Sequence, residues 1–147
     1  DFFVAGDGEL LEACRERIIA ENLPVNVLGW QSNIEKVLSA ADIVVLTSDN
    51  EGTPLSLIQA GMAGLPVVST NVGSVPEVVL DKATGLITSL DVQEIADALE
   101  KLVSDKALRA QLGIAAQEFT LANFGVQRLV RDHELLYKKL LSSPTKF

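Results

Sequence analysis

The sequence predicts an α/β fold: a three-layer parallel sheet with helices on both faces, followed by C-terminal helices. Three observations carry this expectation. Short apolar runs alternate with helical patterns from residue 2 to residue 88, the order expected when parallel strands are joined by crossover helices. One run, IVVLT at 43–47, is almost continuously β-branched, as suits a strand covered on both faces. After Asp91 the strand pattern stops, and apolar positions recur at helical spacing to about residue 141.

Each element has a local reason. Phe2 to Ala5 is a short apolar run ending in Gly6-Asp7-Gly8, which reads as a buried strand entering a turn. Residues 9–21 carry apolar side chains at 10, 11, 14, 18 and 19, close to one face of a helix, and this places Cys14 in the core. Pro24 opens VNVLG, a second strand ending at Gly29-Trp30. Ser32-Asn33 precedes IEKVLSAA, a helix of about two turns, and Asp42 leads into IVVLT. A helix from Pro54 to Ala63 follows, with Thr53 as N-cap and Pro54 at the first helical position, where its missing N–H costs nothing. VVST at 67–70 and GLIT at 85–88 are strands. Between them Ser74-x-x-Glu77 has the spacing of a capping box, with Pro76 inside the first turn. Asp91 caps a helix with apolar residues at 92, 95, 96, 99, 102 and 103; residues 105–122 and 125–141 read as two more. SSPTKF, residues 142–147, reads as a frayed tail, so residues 1–141 are expected to be the domain proper.

Composition narrows the functions. At 147 residues and 48% hydrophobic content the chain can bury one sizeable core. A net charge of −8 argues against a non-specific grip on nucleic acid or an anionic membrane. With one cysteine and one histidine, cysteine metal sites, intramolecular disulfides and histidine relays are excluded within this chain. No stretch approaches the roughly 18 apolar residues of a membrane span, and the first residues lack the basic region of a signal peptide. A cytoplasmic protein is expected, the parent at most peripheral to the inner face of a membrane. Gly6-Asp7-Gly8 does not complete a dinucleotide fingerprint, because Leu11 stands where the third glycine belongs. His133, in VRDHELLYKK, reads as a solvated surface residue.

Ligands of open parallel sheets sit beyond the carboxyl ends of strands, where loops meet helix N-termini. Ser48 to Pro54 is such a loop. The amides near Leu55 and Ser56, together with the positive helix end, make a natural anion site. Thr53 and Ser56 add hydroxyl donors, and Gly52 permits close approach to the backbone. A carboxylate at Glu51 repels a phosphate but suits sugar hydroxyls. Gln59 lies five residues past the helix start, roughly 7 to 8 Å along the axis at about 1.5 Å per residue. Acid, anion cradle, then amide is an order that holds hexose, pyrophosphate and ribose. Spacing alone leaves a second reading open, in which Glu51 is a favourable anion near a helix end and Gln59 a surface residue.

The stretch EGTPLSLIQAGMAGLPVVSTNVGSVPEVV resembles the donor-binding motif of the family 4 glycosyltransferases, retaining enzymes of the GT-B fold. Their pattern is close to E-G-x-P-L-x-L-x-E-A-x-A-x-G-x-P-V-V. The similarity extends through VAGDGEL, VLGWQSNIEKVLSAADIVVLTS and GSVPEVVLDKATGLI, so it covers nearly the whole chain. It implies half of a GT-B fold, a Rossmann-like domain that binds a nucleoside diphosphate sugar without a metal or other cofactor. By this resemblance Glu51 is catalytic, holding the donor sugar and orienting its anomeric carbon. Gly52, Thr53, Pro54, Leu55 and Ser56 surround the pyrophosphate, Gln59 the ribose, and Gly29 and Trp30 the base, with Gly6 bordering the nucleotide. Apart from the resemblance, Gly73 and Ser74 stand in a separate loop after a strand, where a donor contact is the alternative to structural capping. The implied reaction moves a hexose to a glycan, lipid or other acceptor.

Two departures bear on that reading. The family's second glutamate is Gln59 here, and an amide gives up the charge-assisted hydrogen bond, so weaker donor binding is expected. The acceptor-binding N-terminal domain and the βα unit that opens the donor domain also have no counterpart in the chain. With that unit go the Arg and Lys that the family brings to the pyrophosphate; Lys36 and Lys82 fit that role poorly. The expectation is therefore a donor-binding part of a larger enzyme, inactive by itself. The alternative is a non-catalytic nucleotide-binding or scaffold domain in which Gln59 marks lost activity.

Overall fold

The computed structural model describes residues 1–142. Twelve elements follow in order: β1 (Phe2–Ala5), α1 (Leu11–Ala20), β2 (Val25–Gly29), α2 (Ile34–Ser39), β3 (Val44–Leu46), α3 (Leu55–Met62), β4 (Val67–Thr70), α4 (Val75–Val78), β5 (Gly85–Thr88), α5 (Val92–Ser104), α6 (Lys106–Phe124) and α7 (Val126–Ser142). All strand pairing is parallel. The expected tail begins at Ser142, the last residue of α7; residues 143–147 lie outside the described part.

The pairing falls into two sheets, β1-β2 and β3-β4-β5, carried by two compact units, residues 1–40 and 41–147. In the first unit, β1 and β2 run in register from Phe2 opposite Val25 to Val4 opposite Val27, with an irregularity before Ala5. The expectation that β1 is buried fails: Phe2 is 52% and Phe3 57% exposed. Burial of a strand depends on how many neighbours flank it, and β1 pairs only with β2. Cys14 is likewise exposed, because α1 buries none of its residues. Apolar spacing does not by itself bury a helix face: the first unit offers only a two-stranded sheet to pack against.

The second unit holds the core. Val68, Leu86, Leu102 and Leu112 are buried together, with Ile43, Ile95, Ala98, Leu99 and Leu108 packed around them. Central strand β4 is buried throughout. β3 is shorter than IVVLT suggests and only half-buried, Val45 being 38% exposed; as the edge of the order β3-β4-β5 it has one paired neighbour.

α3 buries Leu57, Ile58, Ala60 and Gly61 and lies against α6, whose facing residues Gly113, Ala116 and Thr120 are small and buried. A side chain at Gly61 would overlap the Thr120 methyl, and one at Gly113 would overlap the Gly64 carbonyl. Gln117 Nε2 donates to the Met62 carbonyl at 3.0 Å, satisfying one of the acceptors orphaned at the helix end. Close backbone approach therefore fixes the axis of α3, and with it the direction of its N-terminus. Among the described residues, no helix is long and apolar enough to cross a membrane.

Candidate functional site

The second unit gathers Glu51, Gly52, Thr53, Pro54, Leu55, Ser56 and Gln59 where β3 passes into α3. Three hydrogen bonds shape this loop. At the end of β4, Thr70 Oγ1 donates to the Ser48 carbonyl at 2.6 Å. Ser48 Oγ donates to Glu51 Oε1 at 2.7 Å. The Ser74 amide donates to the Gly52 carbonyl at 3.3 Å. Gly73, at φ +49°, lies so close to Glu51 that any Cβ would overlap the Glu51 carbonyl. The loops after β3 and β4 are thus laced together. Glu51 is half-buried, and among the described residues no group other than Ser48 engages its carboxylate.

The start of α3 differs from the expectation. Pro54, not Thr53, is the N-cap, with φ −72° and ψ 101°. Its carbonyl accepts from the Leu57 amide at 3.2 Å and the Ile58 amide at 3.3 Å. The ring sets a φ equally suited to the cap and the first helical position, and ψ decides between them. No side chain caps the helix, so the first-turn amides at Leu55 and Ser56 are left to an external acceptor. Thr53 and Ser56 are exposed, Pro54 is buried and Gln59 is half-buried. α1 also begins without a side-chain cap, after Gly8.

Ser74 is the N-cap of α4, but the expected capping box does not form. Its hydroxyl donates to Glu77 Oε1 at 3.4 Å instead of accepting from a helix amide. With only four residues in α4, the glutamate is free to meet the hydroxyl directly.

Gly6, Gly29 and Trp30 belong to the first unit. The Gly6 amide donates to the Gly29 carbonyl at 2.8 Å, bringing together the carboxyl ends of β1 and β2, and Trp30 is 73% exposed. Lys82 pairs with Asp81 at 3.7 Å on the surface, and Lys36 lies on α2 of the first unit. His133 is exposed, its Nδ1 2.8 Å from the Leu129 carbonyl.

A cavity of about 720 Å³ sits elsewhere in the second unit, between Asn71, Leu80 and Glu94, and none of the expected site residues lines it. Its acids serve the backbone: Asp81 accepts from the Ile87 amide at 3.0 Å and Glu94 from the Ser89 amide at 3.0 Å. Among the described residues, no group of three or more histidine, cysteine, aspartate or glutamate side chains could hold a metal.

Ser48 and Thr70 were not singled out by the sequence. A signal for Ser48 was present, since Ser48-Asp49-Asn50-Glu51 has the same Ser-x-x-Glu spacing as residues 74–77. Thr70 is 22 residues from its partner, and no local pattern marks it.

Residues 1–119 match the family model described as glycosyl transferases group 1. The chain belongs to this family. It is 30% identical over 143 residues to the N-acetyl-alpha-D-glucosaminyl L-malate synthase of Bacillus anthracis, covering 94% of this chain and 37% of that relative. Over 89 residues it is 44% identical to the D-inositol 3-phosphate glycosyltransferase of Corynebacterium diphtheriae, covering 60% of this chain and 21% of the relative. The chain therefore spans well under half the length of these relatives. Among solved structures, Anabaena Alr3699/HepE in complex with UDP superimposes with a TM-score of 0.84 at 24% identity, over 96% of this chain and 40% of that one. The C-terminal domain of a group 1 glycosyltransferase, LpcC of Francisella tularensis, does so with 0.69 at 26% identity, over 80% of this chain and 65% of that one. The α/β architecture of this group 1 chain is that of one Rossmann-like half of a GT-B fold.

Proposed function

We propose that this group 1 chain is the donor-binding part of a retaining, family 4 glycosyltransferase, which moves a hexose from a nucleoside diphosphate sugar to a glycan, lipid or other acceptor. The observation that carries the reading is the pairing of an uncapped α3 N-terminus with a carboxylate three residues before its N-cap, one oxygen held and the other unengaged. The amides of Leu55 and Ser56 take the diphosphate, and the helix end stabilises the negative charge that grows on it as the glycosidic bond breaks. Glu51 takes the hexose hydroxyls, and Gln59, one turn further along α3, takes the ribose. Charge neutralisation falls to backbone amides, and no metal is assigned. Residues 1–141 form the donor part, with acceptor activation supplied from outside this chain, in the cytoplasm. Solved neighbours with UDP and with UDP-glucose bound support a nucleotide-sugar donor and make uridine the first base to try.

Calorimetric titration of the 147-residue chain with UDP and with UDP-glucose, before and after Glu51→Ala, tests this. UDP-glucose affinity should fall about tenfold or more, the cost of losing a hydrogen bond to a charged group, while UDP affinity holds. UDP and UDP-glucose binding that are both indifferent to Glu51 support the alternative, a nucleotide-binding domain without catalysis. Absence of binding to UDP, GDP, ADP and their sugar conjugates refutes both.

A further inference from the structure

We infer that Ser48 is a positioning residue for the donor sugar: its hydroxyl fixes one oxygen of Glu51 so that the other is presented to the hexose. The inference rests on the reading of Glu51 as the sugar ligand. It starts from the restraints converging on one side chain. Ser48 Oγ holds Oε1 at 2.7 Å. Thr70 Oγ1, on a residue that is 1% exposed, anchors the Ser48 carbonyl at 2.6 Å. Gly73 lies against the Glu51 carbonyl, where no larger residue fits. The next carbonyl, of Gly52, is held by the Ser74 amide. Backbone and carboxylate are therefore both restrained, by groups from two different strand-end loops.

A free glutamate on a loop has three rotatable bonds, and ordering it on binding opposes affinity. With Oε1 already held, only a small part of that ordering remains when the sugar arrives. The same Ser-x-x-Glu spacing at 74–77 shows what happens without a buried anchor. There the hydroxyl–carboxylate distance is 3.4 Å, at the weak limit for such a bond, on an exposed glutamate that is not assigned to the ligand. The short contact occurs only where β4 braces the serine.

A purely structural staple predicts something different: removing it loosens the loop and weakens every ligand of the α3 N-terminus alike. A positioning role weakens only the ligand that touches Glu51. Five proteins distinguish these: the parent chain, Ser48→Ala, Ser48→Thr, Glu51→Ala and the Ser48→Ala/Glu51→Ala double variant, each titrated with UDP and UDP-glucose. Ser48→Ala should lower UDP-glucose affinity about tenfold and leave UDP affinity within about twofold. Ser48→Thr, which keeps the hydroxyl, should recover most of the loss. In the double variant Ser48→Ala should add nothing to Glu51→Ala, the signature of two residues acting as one unit.

Equal losses for UDP and UDP-glucose, or additive losses in the double variant, overturn the inference. So does an intact UDP-glucose affinity in Ser48→Ala when Glu51→Ala has lost it. A Glu51→Ala variant that binds UDP-glucose like the parent instead defeats the reading beneath. Should Ser48→Ala fail to fold, Thr70→Val carries the test, with the same selective loss expected at smaller size. The Glu51 side-chain carboxyl ¹³C resonance supplies a readout that needs no ligand. It should move in Ser48→Ala or Thr70→Val and return in Ser48→Thr; an unmoved resonance counts against Ser48.

Discussion

Two helix starts in the second unit have nearly the same backbone and opposite chemistry. Asp91, the N-cap of α5, has φ −72° and ψ 124°; Pro54, the N-cap of α3, has φ −72° and ψ 101°. Asp91 Oδ1 accepts from the Gln93 amide at 2.9 Å and the Glu94 amide at 3.1 Å. Glu94 in turn reaches back to the Ser89 amide. At α5, then, the amides at the second and third helical positions are consumed within the protein. At α3 the ring of Pro54 supplies no acceptor, and the nearest carboxylate, Glu51, is turned to Ser48. α5 closes these amides with its own side chain, whereas α3 leaves the Ser56 amide and the second oxygen of Glu51 without a partner in the protein. The difference lies in one side chain at the cap and one hydroxyl six residues before it.

The largest expected effect comes from breaking the α3 arrangement at its backbone. Gly73→Ala forces a β-carbon into φ +49°, costing roughly 1 to 2 kcal/mol, and drives it against the Glu51 carbonyl. The loop has to move, so thermal unfolding should drop by about 4 to 8 °C for a loss of about 2 kcal/mol. UDP-glucose affinity should fall with it. A variant that keeps its melting temperature and its sugar-nucleotide affinity would show that the loop contact does not hold Glu51 in place.

Next comes the control on the other helix. Asp91→Ala removes a cap worth about 1 kcal/mol, which corresponds to about 2 to 4 °C in thermal unfolding for a chain of this size. UDP affinity should be unchanged, because the α5 start is structural. If UDP affinity falls as stability does, the distinction between the two helix starts is lost.

The contrast also shows what the sequence makes legible. α5 is readable from Asp91 and the apolar positions through 103, because cap and periodicity lie within one stretch of chain. The strands are placed nearly as well, since short apolar runs between turn residues leave little freedom. Residues that depend on remote neighbours are not readable. The register of Pro54 at the cap is decided by ψ, which belongs to a loop tied down by the Ser74 amide. Thr70 bonds a carbonyl 22 residues away. The exposure of Phe2 and Phe3 depends on which strands flank β1, and Cys14 is exposed for the same kind of reason. Glu51 was visible as an acid before an apolar helix, whereas the hydroxyl that aims it becomes visible only once the two loops are brought together.

The smallest change in stability, and the sharpest test of the contrast, comes from making α3 resemble α5. Pro54→Asp fits the existing backbone, since ψ 101° is already in the extended range that caps adopt. A carboxylate there should cap the Ser56 and Leu57 amides as Asp91 caps Gln93 and Glu94, a gain of about 1 kcal/mol. Against this stands the loss of proline's restriction on the unfolded chain, about 0.4 to 1 kcal/mol. The two nearly cancel, and because Pro54 is buried any fall in thermal unfolding beyond about 2 °C reports the desolvation of the new carboxylate. Anion binding has no such compensation: the Ser56 donor is occupied and a negative charge stands where the diphosphate belongs. UDP affinity should fall by at least about tenfold, and more steeply at low salt, where the new charge is screened less. An undiminished UDP affinity in a correctly folded Pro54→Asp variant would mean that the diphosphate lies elsewhere, and the open start of α3 would then be a feature of the fold alone.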